Sequence, residues 1–207
     1  MIQLGSVPFC TLLYRFVSLC SMNIEKHPFE PFLPENARIL FLGSFPPQPH
    51  RWCMPFYYPN WINDFWRIMG LIHFNDKDHF CNTTQKSFNE ADIRAFCTQK
   101  GLAFYDTATE IRRLKDNASD AFLEVVTPTD IPSLLQQIPH CTTLVTTGQK
   151  ATDVIAQTFN CPIPSIGSHI EINIGNRPIN FYRMPSTSRA YPLPLNKKAD
   201  VYRQLFK

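Results

Sequence analysis

The sequence has few glycines, few charged residues and no long apolar run. Only seven of its 207 residues are glycine and 18% are charged, whereas 44% are apolar. A chain of this length and apolar content can bury the core of one ordinary domain. No apolar run reaches the roughly 20 residues of a membrane-spanning helix. We therefore expect a single domain that does not have a membrane as a partner.

Cysteine pairs with the spacing of metal sites are absent, and so are glycine-rich phosphate loops. The seven cysteines are scattered, and no two of them lie two to four residues apart. That close spacing is common in zinc sites and in many iron–sulfur sites. The sequence also has no Gly-x-Gly-x-x-Gly and no Gly-Lys-Ser. We therefore predict no metal and no cofactor, and cysteines that stay reduced in a cytoplasmic protein.

Long runs of basic residues are missing as well. The net charge is +3 with a pI near 8.5, and the only basic doublets are Arg112-Arg113 and Lys197-Lys198. This balance permits binding to a polyanion but does not require it.

Residues 1–22 are set apart from the rest as an N-terminal extension. They are fairly apolar, but no basic residue precedes Arg15, and a signal peptide would begin with basic residues. Met22, at the end of this segment, would itself make a reasonable start. We predict that the extension is either disordered or the product of a misassigned start, and that residues 23–207 form the single domain.

The most distinctive stretch is an aromatic loop that follows a short apolar run at residues 39–42. Gly43 ends that run, and the prolines at 46, 47 and 49 prevent a helix directly after it. About twenty residues then pass before a helix predicted at 63–71, and a loop of that length is usually functional or disordered. Its richness in aromatic rings argues for order. The rings are Trp52, Phe56, Tyr57, Tyr58, Trp61, Phe65 and Trp66.

Two interpretations of these rings stay open. Flat rings in a loop beyond a buried strand suit a flat ligand, such as a nucleobase. Alternatively, the rings cap the hydrophobic core beneath a long loop.

Strand and helix patterns alternate along the rest of the chain. Strands are predicted at 39–42, 102–105, 143–147, 170–174 and 179–183, the last two as a pair. Helices are predicted at 63–71, 91–97, 130–138, 149–159 and 196–206. Ser87 and Glu90 have capping-box spacing, and Gly101 stands where a helix C-cap belongs. Residues 23–38 read as an irregular arm and 107–121 as a polar loop.

This alternation predicts βαβ units, a mostly parallel sheet and helices on both of its faces. In such sheets the ligand lies beyond the carboxyl ends of the strands. Four polar turns follow strand ends, and we expect them along one rim: Gly43-Ser44-Phe45, Asp106, Thr147-Gly148 and Ser186-Thr187-Ser188.

The order of several motifs resembles the uracil-DNA glycosylase superfamily. The motifs are GSFP, YY-x4-N-x-F-W, GLAFYD, T-G-x-K-A and MPSTS. They look most like the hypoxanthine-DNA glycosylase branch, with the mismatch-specific uracil/thymine glycosylases as cousins, and the resemblance covers residues 38–206. It implies a three-layer α/β/α sandwich around a short, mostly parallel sheet.

The resemblance also implies roles at the first and second motifs. Gly43-Ser44-Phe45-Pro46 would form the floor of a base pocket, and Tyr58 would stack on the extruded base. Asn63 would be the pocket asparagine of the N-x-F-W element. Asp106 is the acid that we nominate as an alternative activator of water, with capping of a turn as its structural alternative.

At the last motif the resemblance implies contact with DNA. The loop holding Ser186, Thr187 and Ser188 would push into the duplex, with Arg189 as the wedge. Lys150 would either close the site or contact phosphate, with a solvated helix-start lysine as the alternative.

Two departures from the family pattern bear on activity. Ser44 stands where the mismatch-specific enzymes carry an asparagine that positions water, and the hypoxanthine branch also has serine there. Asn60-Trp61 replaces the usual His-Pro ahead of the pocket asparagine.

We therefore predict a monofunctional glycosylase that hydrolyses the N-glycosidic bond of a flipped-out hypoxanthine, uracil or mismatched thymine and leaves an abasic site. We expect a monomer that acts on double-stranded DNA, cytoplasmic and at the nucleoid when bound to DNA. A non-catalytic binder of damaged or single-stranded DNA is the alternative. A small-molecule hydrolase is a third possibility, against which stands the absence of Gly-x-Ser-x-Gly.

Overall fold

The computed structural model describes residues 24–114 and 122–207. The predicted extension at residues 1–22 lies outside the described residues, as does most of the second half of the predicted loop at 107–121.

The described chain contains ten strands and five α-helices. The strands are β1 (Ile24–Lys26), β2 (Ile39–Gly43), β3 (Cys81–Asn82), β4 (Ser87–Phe88), β5 (Leu102–Asp106), β6 (Ala108–Arg113), β7 (Leu123–Pro128), β8 (Thr143–Thr147), β9 (Ser168–Ile174) and β10 (Arg177–Met184). The helices are α1 (Phe65–Phe74), α2 (Glu90–Lys100), α3 (Ile131–Gln137), α4 (Gln149–Phe159) and α5 (Leu195–Tyr202). A 3-10 turn, Arg203–Phe206, follows α5.

The central sheet has five strands in the order β5-β2-β8-β10-β9. All neighbouring pairs are parallel except β9 with β10, which form the predicted antiparallel pair. Every residue of β2 and β5 is buried, as expected for strands with a helix layer on each face. The fold is thus the predicted three-layer α/β/α sandwich with a short, mostly parallel sheet.

A second sheet, in the order β1-β6-β7, was not predicted. It takes up part of the residues interpreted as an irregular arm and part of the predicted polar loop, so both assignments were wrong there. The reason lies in β6, where the register shifts between Ala108 and Ile111. A bulge of this kind breaks the alternation by which a half-buried strand is recognised.

Two predicted helix starts also need correction. Ser87 lies in β4, and the side chain of Asn89 caps α2 by accepting a hydrogen bond from the Asp92 N–H at 3.3 Å, so there is no capping box. Helix α1 begins at Phe65, two residues later than predicted. Gly101 does end α2, with the left-handed φ of +64° that glycine adopts most readily.

None of the helices among the described residues is both long enough and apolar enough to cross a membrane.

Candidate active site

A cavity of about 710 Å³ lies at the carboxyl ends of the parallel strands, where the rim was expected. Ten of the twelve predicted site residues line it. They are Gly43, Ser44, Phe45, Pro46, Tyr58, Asn63, Asp106, Ser186, Thr187 and Ser188. The other two, Lys150 and Arg189, are not among the cavity-lining residues.

Gly43 and Asp106 lie next to each other at the wall of the cavity. They are paired in register at the ends of β2 and β5. A Cβ atom on Gly43 would lie 2.4 Å from Oδ1 of Asp106, so only glycine leaves room for this carboxylate. Strand β2 therefore ends in glycine and its neighbour β5 ends in aspartate. The pairing of the two strands places the carboxylate of Asp106 at the cavity.

His27 contacts the same carboxylate and was not predicted. Its Nε2 atom lies 2.9 Å from Oδ2 of Asp106, and both side chains are almost wholly buried. His27 follows β1, which pairs with β6, so the second sheet carries this imidazole to the end of the central sheet. The sequence holds no signal for the pair, because its members lie 79 positions apart and the arm has no periodic pattern.

The side chain of Asn63 accepts a hydrogen bond within the fold, and its amide group also offers a donor that no described residue uses. Its Oδ1 accepts a hydrogen bond from the Phe65 N–H at 2.9 Å, which satisfies one free amide at the start of α1. The donor is a backbone N–H, so the partner atom must be the amide oxygen. The Nδ2 group therefore keeps both hydrogens, and no described residue accepts them. Asp64 is the N-cap of α1, so Asn63 supports the helix start from the position before the cap and can donate into the cavity at the same time.

Arg67, on the buried face of α1, fixes the backbone around Asn63. Its Nη1 donates to the carbonyl oxygens of Trp61 at 2.9 Å and of Asn63 at 3.1 Å. The guanidinium also lies over the Trp61 ring, 4.2 Å from its centroid. The sequence holds no signal for this role, because the position of Arg67 on α1 predicts only a charged residue of a helix.

Tyr58 lies against the cavity with one ring face already covered. It stacks on Phe65 with a centroid separation of 3.9 Å, and its hydroxyl hydrogen-bonds to Oγ1 of Thr147 at 2.9 Å. Desolvation raises the pKa of Tyr58 far above the ordinary value for a phenol, so the ring stays neutral. Its φ of +52° is unusual for an aromatic residue and costs on the order of 1–3 kcal/mol. Only the face away from Phe65 is left for a base.

We expect Tyr58→Ala to weaken binding to a lesion-bearing duplex about ten- to a hundredfold. A ring stacked on a base contributes about 1–3 kcal/mol. Tyr58→Phe is the matched control, because it keeps the ring and removes only the hydroxyl that bonds to Thr147. Fluorescence anisotropy with labelled duplexes measures both affinities below the melting temperature of each variant. Wild-type affinity of Tyr58→Ala would assign this ring to the core alone.

Most of the other loop rings belong to the core. Phe56, Phe65 and Trp66 are buried in the main hydrophobic cluster, whereas Tyr57 is both buried and part of the cavity wall. The aromatic loop therefore serves both interpretations, with only Tyr57 and Tyr58 reaching the cavity.

A buried ion cluster holds the last loop against the start of α1. Asp64 places Oδ2 2.9 Å from Nζ of Lys198 and Oδ1 3.1 Å from Nε of Arg189. Lys198 also donates to the carbonyl oxygen of Ser188 at 2.8 Å, and the Asp64 N–H donates to Thr187. These contacts fasten the loop beside the cavity.

The two cations of this cluster should differ in their contributions to stability. Lys198 is buried, whereas the side chain of Arg189 is 46% exposed. We expect Lys198→Met to lower the free energy of unfolding by about 3 kcal/mol, because it leaves a buried carboxylate less compensated. Arg189→Ala should cost under about 1 kcal/mol, as for other exposed pairs. Urea unfolding measures the free energy of unfolding of both variants. Equal losses in Lys198→Met and Arg189→Ala would contradict the expected difference.

The serines of the last loop support its turns. Ser186 Oγ accepts from the Ser188 N–H, and Ser188 Oγ accepts from the Ala190 N–H, each at 3.2 Å. Because both hydroxyls act as acceptors here, their own hydrogens stay available to donate. The helix α5 begins only at Leu195, so these serines do not cap it.

The second sheet closes one side of the cavity. Phe45 packs with Ala108, Ile111 and Leu123 in a small separate core. Arg113 binds Glu25 at 3.0 Å and donates to the carbonyl oxygen of Pro46 at 3.1 Å. The basic doublet that contains Arg113 therefore shapes the floor of the cavity.

Among the described residues there is no group of three or more His, Cys, Asp or Glu side chains that could hold a metal ion. The five cysteines in this part of the chain are free, and burial raises the pKa of the Cys97 and Cys141 thiols.

Comparison with solved structures finds the fold again. A solution NMR structure of a candidate uracil DNA glycosylase from Methanosarcina acetivorans superposes with a TM-score of 0.58 and 20% identity, covering 89% of this chain and 100% of that one. The chain has the uracil-DNA glycosylase fold. No family model and no curated protein matches the sequence.

Proposed function

We propose that this protein is a monofunctional DNA glycosylase that removes a deaminated base from duplex DNA. Its substrate is a flipped-out hypoxanthine or uracil, or a mismatched thymine, and its product is an abasic site. The proposal is supported by the fold, by the motif order and above all by one observation. A single cavity at the strand ends is lined by the buried carboxylate of Asp106 and by Asn63, whose amide hydrogens bond to no described residue.

The reaction needs charge stabilisation on both sides of one bond. As the N-glycosidic bond breaks, the base gains negative charge and the sugar gains positive charge. The amide hydrogens of Asn63 would donate to the departing base, which is stabilised by donors aimed at its growing charge. Water attacks the sugar carbon, and Asp106 would accept the proton of that water before it passes to the released base. Among the described residues no lysine lines the cavity as a nucleophile, so we expect the strand to stay intact.

Access to the cavity requires that the base leave the stack. Unpairing costs a few kcal/mol and is cheapest at mismatched or damaged bases, which favours lesions over normal pairs. The cavity volume falls within the range of small-ligand sites and accommodates either a pyrimidine or a purine. Arg189 would leave Asp64 to enter the duplex, since Lys198 remains to compensate that carboxylate. Lys150 would contact phosphate nearby.

Duplexes that carry uracil, hypoxanthine or mismatched thymine test the proposal. Each is incubated with excess protein, treated with alkali and separated by strand length, beside an undamaged duplex of the same sequence. We expect alkali-labile breaks at one or more lesions and none without alkali. Binding to these duplexes with no break under any condition would instead favour the non-catalytic binder, which Ser44 in place of asparagine would suit.

A further inference from the structure

We infer that His27 is a positioning residue that fixes the side chain of Asp106 and aims one of its oxygens into the cavity. This inference rests on the proposed function, since it assigns the group on which the proposed base depends. The motifs do not contain the pair of His27 and Asp106. His27 lies in the arm before β2, outside the stretch in which the motifs occur.

The direction of the hydrogen bond follows from the chemistry of the two partners. An ionised carboxylate can only accept, so the hydrogen between His27 Nε2 and Asp106 Oδ2 lies on the imidazole. The other ring nitrogen, Nδ1, lies 3.2 Å from the Phe29 N–H and 2.8 Å from the Phe29 carbonyl oxygen. In the neutral ring Nδ1 accepts from the Phe29 N–H, which leaves the hydrogen on Nε2 for Asp106. In the doubly protonated ring Nδ1 donates to the Phe29 carbonyl oxygen, and Nε2 still donates to Asp106.

The imidazole has no freedom to turn away. Its ring centroid lies 4.6 Å from that of Tyr105 and 5.2 Å from that of Phe45. The backbone N–H of His27 donates to the carbonyl oxygen of Thr109 at 2.8 Å, which joins the residue to the edge of β6. A ring fixed on this many sides holds its partner at a defined angle.

The two oxygens of Asp106 consequently have different surroundings. Oδ2 is taken by His27, whereas Oδ1 lies against the bare Cα of Gly43 at the cavity wall. Among the described residues no hydrogen-bond donor reaches Oδ1. One oxygen is thus fixed by the protein and the other is left for water, which is the arrangement that a positioned base requires.

Variants that keep the shape of the ring isolate the hydrogen bond. His27→Phe preserves the aromatic packing and removes Nε2–H, whereas His27→Gln restores an N–H donor without the ring. We expect single-turnover excision to fall about ten- to a hundredfold in His27→Phe, less than the 10²- to 10⁴-fold of a lost base, and to recover partly in His27→Gln. Lesion affinity should stay within about twofold of the wild type. His140→Phe, at an exposed histidine before β8, is the matched control with no expected effect.

A double-mutant cycle with Asp106→Asn distinguishes positioning from other roles. If His27 acts through Asp106, His27→Phe adds no further loss once Asp106 is replaced. A loss of the same factor in both backgrounds would overturn the inference, because His27 would then act on substrate or on folding. A wild-type rate in His27→Phe would overturn it as well. If the wild-type protein excises none of the bases, the proposed function itself fails, and this inference fails with it.

Discussion

Asn63→Asp is expected to melt near the wild-type temperature and to lose excision by about 10²-fold or more. A carboxylate oxygen accepts a hydrogen bond as an amide oxygen does, so the acceptor for the Phe65 N–H is kept. The two amide hydrogens are lost, and a negative charge now faces the departing anion. One lost preorganised donor costs about 10²–10³ in rate. Single-turnover rates at saturating protein measure the effect apart from DNA affinity.

Asn89→Asp is the matched control for this change. Asn89 also accepts a backbone N–H at the start of a helix, α2, but it does not line the cavity. We expect its rate and melting temperature to match those of the wild type. Wild-type cleavage by Asn63→Asp would reduce Asn63 to an acceptor for the Phe65 N–H, and the positioning of water would move to Ser44 or Asp106.

Asp106→Asn is expected to have the larger effect, a loss of about 10²- to 10⁴-fold in the single-turnover rate. The amide oxygen of asparagine still accepts the hydrogen of His27 Nε2, so the fold around the cavity should persist. What disappears is the only buried carboxylate at the cavity wall among the described residues. Lesion binding should remain, because the base pocket and the last loop are untouched.

The control for Asp106→Asn is Asp130→Asn. Asp130 is an exposed N-cap whose side chain accepts the Ser133 N–H, a role that asparagine fills equally well. A wild-type rate in Asp106→Asn, with Asn63→Asp still impaired, would show that the carboxylate only caps the following turn. The reaction would then depend on charge stabilisation without a base.

The sequence predicts the part of this site that depends on neighbouring strand ends. Apolar runs locate β2 and β5, and parallel pairing then brings Gly43 and Asp106 to the same rim. Helix α1 was predicted because its pattern is strong, although its first residue was placed two positions early. These features are local, or they follow from the rule that parallel strands share a carboxyl end.

The rest of the site depends on contacts that no local pattern records. Asp64 and Lys198 lie 134 positions apart, and each alone reads as an ordinary surface charge. His27 reaches Asp106 only because β1 pairs with β6, and the bulge in β6 conceals that strand. A sequence pattern identifies which face of an element is buried, but it does not identify the partner of a buried polar group.

The most direct measurement of the central claim is the mass of both products from a lesion-bearing duplex. Wild-type protein is mixed in excess with a duplex containing hypoxanthine or uracil, and the strand and any released base are weighed by mass spectrometry. We expect free base in step with an intact abasic strand, and almost none from Asn63→Asp or Asp106→Asn over the same time. A bound duplex that keeps its base, or equal release by wild type and both variants, would contradict the central claim.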